Sequence, residues 1–240
     1  CFMGYDFETA PDVLIPRFDT EVLVEETLEV LKRKSREISG NLEKFTSTTE
    51  EAKRKDAADL EDSIRLLDLC TGSGCIGLAI AHALPRARVT IGDVSTAALR
   101  VAKQNIAGLG LSTRVNAFEL DVLNPAPSFL GQFDGIVSNP PYIPTDTAKS
   151  LEVSKSEPFS ALDGGADGLK FYREIIKKSA AALAEDGLLA LEIGFDQGES
   201  VKALALEYFR CAEVFRDYAD NDRVVICSFK DSAIKIGENV

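Results

Sequence analysis

Arg65-Leu66-Leu67-Asp68-Leu69-Cys70-Thr71-Gly72-Ser73-Gly74-Cys75-Ile76-Gly77 is the stretch from which the fold is read. Its first six residues form a compact apolar strand, and glycines follow at once. Leu78, Ala79, Ile80, Ala81 and Leu84 continue as an apolar helix that stops by Pro85. Gly72, Gly74 and Gly77 make a GxGxxG pattern between that strand and that helix. Glycines there permit a tight turn, a close backbone approach to a ligand and close packing of helix on strand. No GK[ST] follows the loop, which disfavours a phosphate-splitting P-loop.

The alternation continues downstream. Strands are expected over 88–93, 113–121, 133–138 and 187–193, and helices over 95–108, 168–184 and 199–209. Strand–helix alternation implies a parallel, doubly wound sheet. Two last strands, 211–216 and 224–229, are joined only by the short polar segment 217–223, too short for a helical crossover. They should pair antiparallel at one side of the sheet. The expected fold is therefore α/β and Rossmann-like, with a mostly parallel seven-stranded sheet and an antiparallel terminal pair.

Upstream, Phe2, Tyr5, Phe7, Val13, Leu14 and Ile15 with turn formers between them suggest a short β-hairpin. Pro16 ends it, and Thr20 is placed to cap a helix. The stretch 34–62 is polar and rich in both charge signs, and is read as a solvated helix extension plus a mobile linker. The expected organisation is hairpin and lead-in helix over 1–33, linker over 34–62 and one α/β domain over 63–240.

A chain of 240 residues with 45% hydrophobic and 28% charged residues is ordinary for one α/β domain. No apolar run approaches the roughly 20 residues needed to span a bilayer. A net charge of -12 argues against extended non-specific nucleic-acid binding, which needs Lys and Arg against phosphates. The five cysteines contain no CxxC pair and His82 is the single histidine, so no metal site is expected. Such cysteine usage suits a reducing compartment. The sequence begins at Cys1 rather than Met, as expected of a fragment whose upstream segments are not seen.

A second stretch carries the chemistry. Ser138-Asn139-Pro140-Pro141-Tyr142 follows the apolar strand Phe133-Asp134-Gly135-Ile136-Val137. Two prolines cannot donate to a ladder, so the strand stops in a stiff corner. The Asn139 amide and the Pro140 carbonyl are left without ladder duties and could together hold an NH2 group. In open α/β sheets ligands bind outside the carboxyl ends of strands. Four such ends carry suggestive residues: the loop Cys70–Gly74, Asp93, Asp121, and the corner Asn139–Tyr142. Asp93 lies about 20 residues beyond the glycine loop, where an acid accepts from ribose hydroxyls. These features suit a nucleoside-containing cofactor, either a dinucleotide or S-adenosylmethionine. Asp121 has two readings, an acceptor for an adenine amino group or a strand-ending turn. His82, on an apolar helix, reads as a surface or packed residue.

With these residues in hand, the chain resembles the S-adenosylmethionine-dependent methyltransferases that modify the glutamine of the Gly-Gly-Gln motif in peptide chain release factors. The matching segments are Val13-Leu14-Ile15-Pro16-Arg17 with Thr20-Glu21, Leu67 to Ile76, and Ser138 to Pro144. Further matches are Glu157-Pro158, Ala161-Leu162, Gly164-Gly165, Asp167-Gly168-Leu169, Leu191-Glu192-Ile193-Gly194, Gln197-Gly198-Glu199, and Asp220 to Val224. The asparagine-proline-proline-tyrosine motif is shared with amino-methylating DNA enzymes, and the outer segments make the release-factor resemblance more specific.

The resemblance implies a class I methyltransferase that uses S-adenosylmethionine on the glutamine side-chain amide. It implies catalytic and substrate-binding roles for Asn139, Pro140, Pro141 and Tyr142. It implies a cofactor lying along Cys70, Thr71, Gly72, Ser73 and Gly74, with Asp93 on the ribose, Asp121 and Val122 near adenine, and Arg17 and Asn139 beside the pocket. The implied partner is a release factor. The expected setting is cytoplasmic, or organellar where an upstream targeting segment exists, with no membrane or direct nucleic-acid contact; the sequence leaves the oligomeric state open, a monomer being the expectation. The alternative is an amino-group methyltransferase acting on DNA or RNA. Phe18 and Asp19 depart from the family's usual proline and glutamate. The sequence starts inside the hairpin that would follow the family's amino-terminal helical domain.

Overall fold

The computed structural model describes residues 1–42, 63–124, 132–152 and 157–230. Its centre is a seven-stranded sheet in the order β3-β2-β1-β4-β5-β7-β6. The strands are β1 (Arg65–Leu69), β2 (Arg88–Asp93), β3 (Val115–Glu119), β4 (Phe133–Ser138), β5 (Leu183–Glu192), β6 (Cys211–Arg216) and β7 (Asp222–Ser228). β7 runs antiparallel to both β5 and β6, and the other pairings are parallel. The expected sheet and its antiparallel terminal pair are both present. β7 lies inside β6 because a right-handed crossover through a helix needs room beyond β5, and the following short turn returns the chain into the gap.

Helices cover both faces: α1 (Thr20–Leu42), α2 (Cys75–Ala83), α3 (Thr96–Gly108), α4 (Thr145–Ser150), α5 (Lys170–Ala182) and α6 (Gly198–Leu206). Successive strand residues point to opposite faces. Thus Leu66, Leu188, Ala190, Val224 and Ile226 pack with α1, α2 and α3. Leu67, Leu189, Leu191, Val225 and Cys227 pack with α5 and α6 instead. Burial on both faces explains why these strands are nearly continuous apolar runs.

Several expected elements change. The hairpin over residues 1–15 reduces to one tight turn, in which Phe2 and Tyr5 exchange backbone hydrogen bonds of 2.9 Å around Met3 and Gly4, both at positive φ. Among the described residues the chain beyond the turn finds no strand partner: Glu8 N donates to Asn105 Oδ1 at 2.8 Å, a side chain on α3. β3 is shorter than the apolar pattern suggests, while β5 begins at Leu183, directly after α5. The polar stretch 34–62 is described only as far as Leu42, where it is helical. Its remainder lies outside the described residues. Among the described residues no helix is long and apolar enough to cross a membrane.

Candidate active site

The chain leaves β1 toward β2 on one side, and β4 lies against β1 on the other, so a crevice opens at their carboxyl ends. Leu69 pairs with Ser138, and Ser138 Oγ donates to the Leu69 carbonyl at 2.7 Å, which ties the two strand ends together. The glycine loop turns sharply here. Cys70 and Gly72 both have positive φ, at 57° and 55°. Thr71 N is bonded to the Gly92 carbonyl at the end of β2, and Asn105 Nδ2 holds the Ser73 carbonyl at 2.8 Å.

Below the loop sits Asp68, a buried carboxyl absent from the candidates read from sequence. Its Oδ2 accepts from Thr71 Oγ1 at 2.5 Å and from Gly77 N at 3.0 Å. A Cβ on Gly77 would come within 2.9 Å of that oxygen, so the third glycine of the pattern is there for the carboxyl to reach the backbone. Burial pushes the Asp68 carboxyl up to about 7, against the pull of these hydrogen bonds.

Asp93, at the end of β2, accepts from Gly72 N at 2.9 Å through Oδ2 and from Ser95 N at 2.8 Å through Oδ1. Each oxygen retains a lone pair that can meet a ligand hydroxyl. Asp121 caps its own turn: Oδ1 accepts from Leu123 N and Oδ2 from Asn124 Nδ2, each at 2.8 Å. Asp121 also lines the cleft, and the turn reading is the one its hydrogen bonds show.

The corner after β4 is clamped from outside. Gly164 N donates to the Ile143 carbonyl at 2.8 Å and Ile143 N to the Leu162 carbonyl at 3.0 Å. The segment approaches so closely that a Cβ on Gly164 would sit 2.7 Å from Tyr142 Cα. The Asp163-Gly164 pair is therefore a packing surface for the corner as well as a turn. Gln197 Nε2 donates to the Tyr142 carbonyl at 3.0 Å, while Gln197 Oε1 accepts from Gly194 N at 3.0 Å. Among the described residues no group donates to the Pro140 carbonyl.

These pieces bound two adjoining cavities. The larger, about 980 Å³ counted to its open mouth, is lined by Arg17, Cys70, Thr71, Gly72, Ser73, Asp93, Asp121, Val122, Asn139 and Pro141, with apolar walls from Val13, Ile76, Leu120 and Phe171. The smaller is lined by Leu14, Arg17, Asn139, Pro140, Tyr142 and Glu192. Leu14, Arg17, Asn139 and Ala161 line both, so the two cavities share a wall that includes Asn139. Gly74 is the one candidate that lines neither; at φ 85° it packs inward against Leu78 and Ala102. Arg17 reaches across the mouth to Glu157 Oε1 at 2.7 Å.

Thr20, expected to cap α1, stands at its start with its hydroxyl met by Asn139 Nδ2 at 3.4 Å. Asp19 pairs with Arg223 at 3.4 Å, and exposed Phe18 lies 5.9 Å from the Tyr218 ring. His82 is at the surface, bonded to Tyr5 at 2.9 Å, and lines neither cavity. Glu192, also missed, is 2% exposed at the end of β5. A carboxylate inside the apolar run Leu188 to Ile193 was the available signal, because Glu is almost never fully buried unless paired.

The two cavities offer carboxylate acceptors and apolar walls on one side and amide and carbonyl acceptors on the other. A family profile described as "Methyltransferase small domain" matches residues 56–156. A human methyltransferase 10 domain containing protein superposes with a TM-score of 0.60 at 16% identity, over 95% of this chain and 90% of that one, a likeness of fold. Fold and site together define a Rossmann-like methyltransferase of class I. The release factor glutamine methyltransferase of Moorella thermoacetica is 44% identical over 225 residues, 92% of this chain and 69% of the relative. That of Clostridium botulinum is 38% identical over 227 residues, 93% of this chain and 71% of the relative. The chain belongs to the release factor glutamine methyltransferase family.

Proposed function

We propose that the protein transfers a methyl group from S-adenosylmethionine to the side-chain amide nitrogen of the glutamine in the Gly-Gly-Gln motif of a peptide chain release factor. The observation that carries this reading is the wall, including Asn139, that the two cavities share. One side suits a charged nucleoside and the other a primary amide.

The donor set of the larger cavity fits S-adenosylmethionine. Asp93 would accept from ribose hydroxyls, Val122 and Leu120 would flank the adenine, and the loop Cys70–Gly74 would hold the methionine portion with Arg17 near its mouth. Asp121 contributes through its turn, which shapes the wall. When bound, S-adenosylmethionine supplies a sulfonium-activated methyl group. The chain's own work is alignment. Asn139 Oδ1 and the Pro140 carbonyl accept the two hydrogens of the glutamine NH2 and hold its nitrogen facing the larger cavity. The same acceptors stabilise positive charge as it develops on that nitrogen. Tyr142 and Pro141 pack on the planar amide. The proton lost from nitrogen passes to solvent.

The reaction is assigned to the cytoplasm, in keeping with five free cysteines. The test is methyl transfer from labelled S-adenosylmethionine to purified release factor, with its Gly-Gly-Gln glutamine changed to alanine as control and Asn139→Ala enzyme alongside. Labelling that needs both the glutamine and Asn139 is expected. Labelling of DNA or RNA with the release factor left unmodified would overturn the assignment.

A further inference from the structure

Glu192 has no part in the alignment just described, yet it is buried in the wall of the smaller cavity beside Asn139, Pro140 and Tyr142. Among the described residues its Oε2 has no hydrogen-bond partner. Asn139 lines the same cavity, and its Nδ2 donates to Thr20 Oγ1 at 3.4 Å; Thr20 and Asn139 both pull the Glu192 carboxyl down from the value that burial gives it. An ionised carboxylate only accepts, whereas a hydroxyl donates once and accepts as well. With Glu192 ionised, the Thr20 hydroxyl gives its hydrogen to the carboxylate and its oxygen to Asn139 Nδ2. The asparagine amide then has a single orientation, with Oδ1 turned toward the cavity.

We propose that ionised Glu192, acting through Thr20, is a positioning residue that fixes which end of the Asn139 amide meets the substrate. The inference rests on the reading of Asn139 as the acceptor for the substrate NH2. A protonated Glu192 can donate to Asn139 Oδ1 instead. The asparagine can then rotate to present its own NH2 to the substrate NH2, donor against donor. The groups around Glu192 place this change near neutrality. Burial raises its carboxyl to about 7, with Thr20, the Arg223 guanidinium and Asn139 pulling it down and Asp19 pushing it up. Tyr142 interacts with it both through its hydroxyl and electrostatically, Tyr172 and Cys75 electrostatically alone, and burial pushes all three of those groups far above their ordinary values, which keeps them neutral.

The experiment is the pH profile of methyl transfer to purified release factor, with S-adenosylmethionine affinity measured by calorimetry at each pH. Wild-type kcat is expected to rise with pH through a midpoint near 7, at least tenfold across the limb. Glu192→Gln should lower kcat about tenfold at high pH, flatten the limb and leave S-adenosylmethionine affinity within about twofold. Thr20→Val should lower kcat similarly, and Thr20→Ser, which keeps the hydroxyl, should restore most of it. A wild-type rate and limb in Glu192→Gln, or in Thr20→Val if the first variant does not fold, would overturn the inference. Equal loss of cofactor affinity and rate would overturn it too, since that marks a merely structural carboxyl. If Asn139→Ala keeps wild-type activity, the parent reading fails. If Asn139→Ala is inactive while both other variants behave as wild type, the positioning role alone fails.

Discussion

Gln197 Nε2 donates to the Tyr142 carbonyl at 3.0 Å, across 55 positions of sequence. The bond joins the loop after β5 to the corner after β4. Gln197 Oε1 meanwhile accepts from Gly194 N and lies 3.4 Å from the Tyr172 hydroxyl. Gln197→Ala leaves several buried partners unsatisfied. It should destabilise the protein by about 1–3 kcal/mol in urea titration, given the usual cost of orphaning a buried polar group. Methyl transfer should fall further than that stability loss explains, because the corner loosens.

Gly168 supports the same carbonyl from the other side. Its φ is 74°, and a Cβ there would collide with the Tyr142 carbonyl oxygen and lie 2.6 Å from Gln197 Nε2. Gly168→Ala is expected to lower stability by more than the ~1 kcal/mol typical of a mismatched glycine replacement. Gly110→Ala, also at positive φ but with open space around it, isolates the backbone cost. A smaller loss of activity at position 168 than at 110 would contradict the clamp.

Asn139 and Asp93 should separate in calorimetry and kinetics. Asn139→Ala is expected to lower kcat/KM by about 10²–10³, the range seen when a transition-state acceptor or donor is removed. Asp93→Ala removes a carboxylate that holds Gly72 N and Ser95 N. It should weaken S-adenosylmethionine binding by roughly ten- to a hundredfold, as for hydrogen bonds to a charged group. Equal effects of the two variants on cofactor affinity would place both residues in one role.

Asp68 makes stability depend on pH. Its folded carboxyl is raised from 3.8 to about 7, so the folded state holds this proton more tightly than the unfolded chain does. The contribution is full below pH 3.8 and is lost as pH rises through about 7. Asp68→Asn cannot titrate. Its unfolding free energy should therefore fall less than that of the wild type between those two values. Parallel stability–pH curves for the two proteins would show that the carboxyl is ionised when folded.

The elements were legible where a local pattern suffices. The run from Arg65 to Gly77 specifies strand, turn and helix because apolar burial on both faces and glycine φ are local demands. Asn139-Pro140-Pro141-Tyr142 marks a strand end because proline cannot donate to a ladder. The hairpin was not legible as a single turn. Phe2 to Ile15 has the composition of paired strands, but pairing depends on a partner, and α3 supplied Asn105 instead.

By itself the sequence determined the alternation of strands and helices, the antiparallel closing pair and the residue types at four strand ends. These follow from side-chain volume, periodicity and backbone restriction, which act over a few residues. Only the tertiary structure decided that Asn139 stands in a wall shared by two cavities, that Asp68 braces the glycine loop, and that Glu192, Thr20 and Asn139 interact with one another. Those relations join residues more than a hundred positions apart in the case of Thr20 and Asn139. Desolvation and hydrogen-bond satisfaction create them, and both depend on what the folded chain brings alongside.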